Sequence, residues 1–346
     1  MDLLVMSRDT IVAEWEKKKL VIIDEALAPI YLRRTGNVEA WLESRAIDSH
    51  RANSRLLKRA LRLTEKDDIG TVISVNAACI TDTYWVKPFD STLKYEDVRF
   101  DNDYFANLAL DGNYDSFNRA ANSKNSKTPE LTNTGSFEKC WRLINGEWWI
   151  YKKANHNEQF SELFIYEFGL ALGMNMAEYK KGDKCVKKRD FTKNASVNFE
   201  PAYSFMNDNE DYIQTLNALK KLSHGLIPDY VKMIFLDTLV ANPDRHTNNY
   251  GILRDAQSGE IIGFAPNFDN NMALISRGYP QNTKRKNDLL VRLFNELIGH
   301  EPSLKGYLPE VTDNMVIDVL LKLNMKVRSK VIIDFIMSAY EKILIR

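Results

Sequence analysis

The sequence is poor in cysteine, with only Cys79, Cys140 and Cys185 in a chain of 346 residues. Their wide spacing excludes a C-x-x-C metal or redox motif, and three cysteines cannot all pair within one chain. Such cysteine usage predicts a reduced, cytoplasmic protein. No run of eighteen apolar residues is present, and charged residues interrupt the apolar pattern of the first fifteen positions. The sequence therefore predicts neither a membrane span nor a signal peptide.

A net charge of either sign is also missing, because 47 Lys and Arg residues balance 47 Asp and Glu residues. This balance argues against autonomous binding of nucleic acid, which needs an excess of basic residues. Apolar residues make up 44% of the chain and aromatic residues 11%. Burial of that many apolar side chains can offset the entropy of ordering the chain, which excludes a wholly disordered protein.

Residues 41–63 have apolar side chains at helical spacing, with five basic residues on the remaining face: Arg51, Arg55, Lys58, Arg59 and Arg62. The spacing predicts one amphipathic helix. Two interpretations of the basic face stay open. We favour a solvated face of a packed helix, and the alternative is a surface for nucleic acid or an acidic partner.

Strand and helix patterns divide the rest of the chain. Polar residues at 118–136 predict a linker that ends in a glycine turn. Asn145-Gly146 between two β-prone runs, 139–143 and 147–153, predicts a hairpin. Residues 80–86 predict a turn that leads into an aromatic strand. Short strands are predicted at 174–179, 185–191, 250–253 and 261–264, and helices at 158–172, 212–222, 229–240, 288–298, 315–323 and 326–345. This order predicts an α+β protein.

The most informative segment runs from Asp244 to Asn249 and directly follows a predicted apolar helix. These two residues have the spacing of the Asp-x-x-x-x-Asn catalytic loop of protein kinases. In such a loop the carboxylate orients the attacking hydroxyl, and the amide oxygen holds a divalent metal ion against the phosphates. The spacing alone also fits an ordinary polar turn. The preceding helix, the following strand and a further carboxylate at Asp269 favour a catalytic loop.

Three motifs together resemble those of the bacterial HipA-like serine/threonine kinases, and the resemblance covers residues 137–346. The family's Asp-x-His-x-x-Asn loop matches residues 244–249, and its Pro-x-(Phe/Tyr)-Asp motif matches 266–269. Its Ser/Thr-Gly-x-x-x-Lys phosphate loop matches residues 134–139. With one glycine, this loop is neither a Walker A motif nor a three-glycine kinase loop.

The resemblance implies a two-lobed protein-kinase-like fold that binds ATP and Mg²⁺. A small β-rich N-lobe is expected at 137–208 and a helical C-lobe at 209–346, after an N-terminal extension at 1–118 and a linker with the phosphate loop at 119–136. A protein substrate is implied, and an antitoxin-like partner stays open. The extension does not look like the short N-terminal subdomain of the best-known HipA toxins, and its role is open.

The resemblance also assigns roles to individual residues. Asp244 is implied as the catalytic residue, and Asn249 and Asp269 as the metal ligands. The residues implied to bind the nucleotide are Gly135, Ser136, Lys139, Lys152 and Glu162. Of these, Lys152 is expected to pair with Glu162, with Glu158 as the second choice, and strand alternation sends the neighbouring Lys153 to the opposite face.

Two further implications concern segments rather than single catalytic residues. The adenine-binding hinge is expected near 187–191. Some family members are regulated by phosphorylation beside their own phosphate loop, where this sequence has Thr132, Thr134 and Ser136.

Two other functions remain alternatives. Phosphatidylinositol kinases also use an Asp-Arg-His-x-x-Asn loop, although the sequence lacks an obvious membrane-targeting helix or basic tail. A nucleotide-binding pseudokinase or DNA-associated regulator is the non-enzymatic alternative. The intact set of Asp244, Asn249, Asp269 and Lys152 argues against a pseudokinase.

Overall fold

A computed structural model of the protein describes residues 2–64, 66–113 and 127–344. The strands, in chain order, are β1 (Leu3–Ser7), β2 (Thr10–Glu16), β3 (Lys19–Ile22), β4 (Tyr84–Lys87), β5 (Lys139–Ile144), β6 (Glu147–Lys153), β7 (Tyr179–Lys181), β8 (Cys185–Arg189), β9 (Val197–Pro201), β10 (Gly251–Asp255) and β11 (Ile261–Phe264). The protein therefore contains strands both before and after the predicted linker.

The helices, in chain order, are α1 (Ile30–Thr35), α2 (Val38–Glu43), α3 (Ser54–Ala60), α4 (Asp68–Ile73), α5 (Tyr95–Val98), α6 (Ala106–Asp111), α7 (His156–Ala171), α8 (Tyr203–Met206), α9 (Tyr212–Leu222), α10 (Ile227–Val240), α11 (Leu289–His300), α12 (Asp313–Leu323) and α13 (Ser329–Leu344). None of these described helices is long and apolar enough to cross a bilayer. The fold is a mixed α/β one.

The chain forms two compact units, and each of them is made of three separate stretches of the sequence. The first comprises Met1–Lys153, Lys187–Glu200 and Leu253–Ile262, and the second comprises Ala154–Val186, Pro201–Ile252 and Gly263–Arg346. The domain boundaries expected from the sequence stay a prediction. The boundary at residue 118 lies outside the described residues.

In the first unit, an antiparallel sheet has the strand order β3-β2-β1-β4. β5 and β6 form the predicted hairpin, and Asn145 and Gly146 have the positive φ angles that a tight hairpin turn requires. Apolar side chains from the N-terminal region and from the β5–β6 hairpin pack in one cluster. Its members include Met6, Ile47, Leu57, Trp85, Phe105, Leu131, Cys140, Trp141 and Trp148. The N-terminal region thus shares its hydrophobic core with the β5–β6 hairpin.

The prediction of one helix over 41–63 is wrong, because α2 and α3 are separated by residues 44–53. The break brings Arg45 and Arg51 inward, where their side chains are buried. Arg45 forms an ion pair with Asp82 at 2.8 Å. Arg51 therefore does not lie on a solvated basic face. The predicted linker also differs where it is described, since Pro129–Thr132 forms a buried 3-10 turn.

In the second unit, each predicted helix is confirmed apart from shifts at its ends. α7 begins in a capping box, with the Asn155 side chain accepting from the Glu158 amide and Glu158 accepting from the Asn155 amide. Gly173 takes the left-handed conformation predicted beyond its end. The strand predicted at 174–179 is mostly loop, because only Tyr179 of that range lies in β7.

Candidate functional site

The Asp244–Asn249 loop connects the buried helix α10 to β10 and belongs to the second unit. Ala241 ends the helix in the left-handed conformation, with φ of 52°. The Asp244 amide donates to Asn242 Oδ1 at 3.1 Å. The Asn249 side chain donates through Nδ2 to the Asp244 carbonyl oxygen at 2.9 Å. The backbone of Asp244 therefore holds Asp244 and Asn249 together. The Asp244 carboxylate takes no part in either hydrogen bond.

A buried ion pair anchors this loop to α10. The Arg245 guanidinium donates to both carboxylate oxygens of Asp237, through Nε at 2.8 Å and Nη2 at 2.9 Å. Both side chains are almost completely buried. Burial opposes the charge of Arg245, but the Asp237 carboxylate outweighs that effect and raises the pKa of Arg245 above its usual value. The guanidinium is therefore a permanent cation beneath the loop.

The same guanidinium joins the loop to the segment that carries Asp269. Arg245 Nη1 donates to the carbonyl oxygens of Asn249 and Phe268, and Nη2 donates to Asn270 Oδ1 at 2.7 Å. Arg245 thus contacts the residues on both sides of Asp269 in sequence. A rigid, planar fork of donors suits a residue that must fix several acceptors at once. The structure therefore brings the segments of Asp244, Asn249 and Asp269 together around Arg245.

Asp269 is half-buried and has a left-handed backbone, with φ of 59°. Its amide donates to the Tyr179 hydroxyl oxygen at 2.9 Å. Burial raises the pKa of Tyr179 well above its usual value, and the negative charges of Glu162 and Asp269 act in the same direction. The tyrosine therefore stays neutral and holds the backbone of Asp269 in this strained conformation.

Glu162 is completely buried in α7 and contacts the same segment. Its Oε2 accepts a hydrogen bond from the Asn270 amide at 3.0 Å. Lys152, its expected partner, belongs to the first unit, whereas Glu162 belongs to the second. Their pairing stays a prediction. The described contact shows that α7 and the Asp269 segment are tied through Glu162.

The donor set of the second unit fits magnesium better than a transition metal. In the described part of the chain, no group of three or more His, Cys, Asp or Glu side chains could hold a metal ion. Asn249 donates through its amide nitrogen, which leaves its Oδ1 as the atom able to ligate, and Asp269 adds a carboxylate. Magnesium is typically bound by one or two such oxygen ligands together with substrate phosphates and water.

The predicted phosphate loop, residues 134–139, lies in the first unit and leads into the hairpin, because Lys139 is also the first residue of β5. Gly135 has a φ of 97°, and a β-carbon there would lie 2.6 Å from Lys139 Nζ. The loop therefore passes close to the Lys139 ammonium group, and the backbone angle at position 135 favours glycine. Thr134, Gly135 and Ser136 are exposed.

Lys152 and Lys153 lie on opposite faces of β6, as strand alternation predicts. Lys152 is buried, and its ammonium group lies 4.5 Å from the centre of the Phe137 ring in the phosphate loop. Lys153 is more exposed and lies 3.7 Å from Asp111 and 3.8 Å from Glu138. Both lysines therefore contact the predicted phosphate loop, Lys152 at Phe137 and Lys153 at Glu138, but only the Lys152 side chain is buried.

Asp237, Arg245 and Tyr179 belong to this site but were not predicted from the sequence. One signal for Asp237 was available, because it is the one carboxylate within the apolar run from Met233 to Val240, and a buried carboxylate requires a charged or hydrogen-bonding partner. Tyr179 carried no such signal, since a tyrosine in a strand has ordinary β propensity.

Comparison with known proteins shows similarity of fold alone. No protein-family model matches the chain, and no curated protein sequence matches it. HipA of Shewanella oneidensis MR-1, from the complex of that toxin–antitoxin system with HipB and operator DNA, superposes with a TM-score of 0.54 at 11% identity. This superposition covers 98% of this chain and 97% of HipA. The Helicobacter pylori proinflammatory kinase CtkA gives a TM-score of 0.42 at 19% identity, over 59% of this chain and 89% of CtkA.

The resemblance to HipA that the motifs suggested is therefore confirmed at the level of the fold. Because the superposition covers nearly the whole chain, it includes the N-terminal region that the motifs left unexplained.

Proposed function

We propose that this chain, which shares its fold with HipA, is an ATP- and Mg²⁺-dependent serine/threonine protein kinase. It transfers the γ-phosphate of ATP to a hydroxyl group of a protein substrate and also to hydroxyl groups of its own chain. The observation that carries the proposal is the junction at Arg245, which fixes the Asp244–Asn249 loop beside the Asp269 segment. A phosphoryl-transfer site requires a carboxylate for the attacking hydroxyl and separate oxygen ligands for metal, at a fixed spacing.

In the proposed reaction, the acceptor hydroxyl oxygen forms a bond to the γ-phosphorus as the bond from that phosphorus to the bridging β–γ oxygen breaks. Asp244 orients the hydroxyl and receives its proton, and ADP leaves. Asn249 and Asp269 would hold Mg²⁺, which would neutralise charge on the phosphates. Arg245 keeps the carboxylate and these ligands in a fixed relation. Positioning and charge stabilisation then supply most of the rate acceleration.

The proposal assigns ATP-phosphate binding to Gly135, Ser136 and Lys139 in the loop and to Lys152 on β6. Glu162 is proposed as the carboxylate that pairs with Lys152. The burial of Lys152 against Phe137 supports its role, because the ammonium group is shielded from water beside the loop. A phosphate gains more from such a charge than from a fully solvated lysine.

Replacing Lys152 by alanine is expected to raise the KM for ATP or to lower turnover by about tenfold or more, because a charge-assisted contact with phosphate is lost. Lys153→Ala is the matched control, since it removes an ammonium group from the opposite face of the same strand. Steady-state kinetics at varied ATP concentration measures both variants. A larger loss in Lys153→Ala would contradict the assignment of Lys152.

Phosphopeptide mapping after incubation with MgATP is expected to find phosphate on Thr134 or Ser136 and none on Thr132. Thr134 and Ser136 are exposed, whereas Thr132 is buried and its hydroxyl donates to the Ala78 carbonyl oxygen at 2.7 Å. A phosphate adds about −1.5 to −2 charge beside the nucleotide loop, so the modified form is expected to bind ATP more weakly. Phosphate on Thr132, or a modified loop with unchanged ATP affinity, would contradict this mechanism.

The acceptor class is tested with ATP labelled in its γ-phosphate, in the presence of Mg²⁺ or of a chelator. Bacterial protein and phosphatidylinositol vesicles are supplied in parallel reactions. The proposal expects Mg²⁺-dependent label on protein and none on lipid. Label on the lipid alone would establish a lipid kinase instead, and nucleotide binding without transfer to either acceptor would indicate a pseudokinase.

A further inference from the structure

The N-terminal region contributes one side chain to the base of the phosphate loop. Arg51 lies in the segment between α2 and α3, and its side chain is fully buried. Its Nη1 donates to the Asn133 carbonyl oxygen at 3.1 Å, and its Nη2 donates to the Lys139 carbonyl oxygen. Asn133 directly precedes the loop, and Lys139 is its last residue. One guanidinium therefore joins the two ends of the loop.

Glu130 completes this connection from the buried turn that precedes the loop. Its carboxylate lies 3.5 Å from Arg51 Nη2 and accepts a hydrogen bond from the Asn133 side chain at 3.0 Å. It also accepts from the Trp141 amide in β5 at 2.7 Å. The Arg51–Glu130 pair thus contacts the chain before and after the loop, while the tip at 134–136 stays exposed.

This pair is costly to bury. Burial lowers the pKa of Arg51 and raises the pKa of Glu130, so the surroundings disfavour the charged form of both groups. A buried ion pair adds little net stability compared with apolar side chains of similar volume. What this pair supplies, and apolar side chains could not, is a set of directed hydrogen bonds to both ends of one loop.

We propose that Arg51 is a positioning residue for the nucleotide-phosphate loop, and that Glu130 orients Arg51 for this role. The inference rests on the proposed function, because it assumes that residues 134–139 bind ATP phosphates. It assigns a task to the N-terminal region, which holds the loop in its binding conformation before the nucleotide arrives. A loop ordered in advance loses less entropy on binding.

Arg45 offers a matched control for Arg51. It lies in the same segment, is also buried, and pairs with Asp82. It also contacts the carbonyl oxygens of Ala77 and Tyr84 and the ring of Trp41, and all three residues lie outside the phosphate loop. Arg45→Lys and Arg51→Lys therefore make the same chemical change in one segment, and only the second removes hydrogen bonds to the loop.

The experiment compares hydrogen–deuterium exchange of residues 133–141 and the dissociation constant for MgATP in the wild type and both lysine variants. Lysine keeps the charge but loses the planar fork that reaches two carbonyl groups. Arg51→Lys is expected to accelerate exchange in the loop and to weaken MgATP binding by about tenfold, with a much smaller change in kcat. Arg45→Lys is expected to lower thermal stability while leaving loop exchange and MgATP affinity at wild-type values.

Glu130→Gln is a milder second variant, which retains an acceptor for the Trp141 amide and removes the charge that faces Arg51. It is expected to change loop exchange and ATP affinity in the same direction as Arg51→Lys. Loop exchange in Arg51→Lys equal to that in Arg45→Lys would overturn the inference. A wild type that binds no MgATP would contradict the proposed kinase function instead, and the exchange comparison would still decide whether Arg51 orders the loop.

Discussion

Asp244→Asn is expected to lower the rate of phosphoryl transfer by about 10²- to 10⁴-fold while leaving MgATP binding in place. The amide has the shape of the carboxylate but cannot accept the hydroxyl proton. The loop itself should persist, because the bonds to Asn242 and Asn249 use the backbone amide and carbonyl groups of Asp244. Transfer from labelled ATP and a separate nucleotide titration measure the two properties.

The exposed Asp318 on α12 provides the control for this change. Asp318→Asn makes the same substitution outside the site and is expected to retain wild-type transfer. Equal transfer by Asp244→Asn and Asp318→Asn would contradict the role assigned to Asp244. Loss of nucleotide binding in Asp244→Asn would show that the substitution disturbs more than the chemical step.

Arg245→Met is expected to lower the free energy of unfolding by about 3–5 kcal/mol, because Asp237 is left as an unpaired buried charge. It is also expected to raise the Mg²⁺ concentration needed for half-maximal transfer, since the Asn249 and Phe268 carbonyl groups lose their common donor. Denaturant titration measures the first effect. Transfer rates at varied Mg²⁺, at a temperature where the variant stays folded, measure the second.

Arg285→Met is the control that separates the loss of stability from the change in Mg²⁺ requirement expected for Arg245→Met. Arg285 is also buried in the second unit, but it donates to the carbonyl oxygens of Thr238 and Leu239 and to Asp288. Its loss is expected to destabilise the protein without changing the Mg²⁺ requirement. An unchanged Mg²⁺ requirement in Arg245→Met would contradict the proposed coupling of the two loops.

Local patterns were sufficient to predict the elements that depend on neighbouring residues. The β5–β6 hairpin follows from Asn145-Gly146, because these residues readily take positive φ. The helices of the second unit follow from their apolar spacing. The helix predicted over 41–63 is wrong because the structure of this segment depends on residues that are distant in the sequence. Arg45 and Arg51 are buried by Asp82 and Glu130, which lie 37 and 79 residues further along the chain.

The same distinction applies to the site. Asp244 and Asn249 could be singled out because their spacing within one loop reflects a chemical requirement. The importance of Arg245 could not, because its acceptors come from α10, its own loop and the Asp269 segment. The hydrophobic core that the N-terminal region shares with the hairpin could not be predicted either, because its residues come from separate stretches of the sequence.

The most direct test of the proposed phosphoryl-transfer centre is intact-mass spectrometry of the purified protein after incubation with ATP, with and without Mg²⁺, beside Asp244→Asn. A centre at Asp244, Asn249 and Asp269 predicts added mass in whole phosphoryl groups for the wild type with Mg²⁺ and ATP. It predicts no added mass without Mg²⁺ and none in the variant. Equal phosphate incorporation by Asp244→Asn, or by the wild type without Mg²⁺, would contradict it.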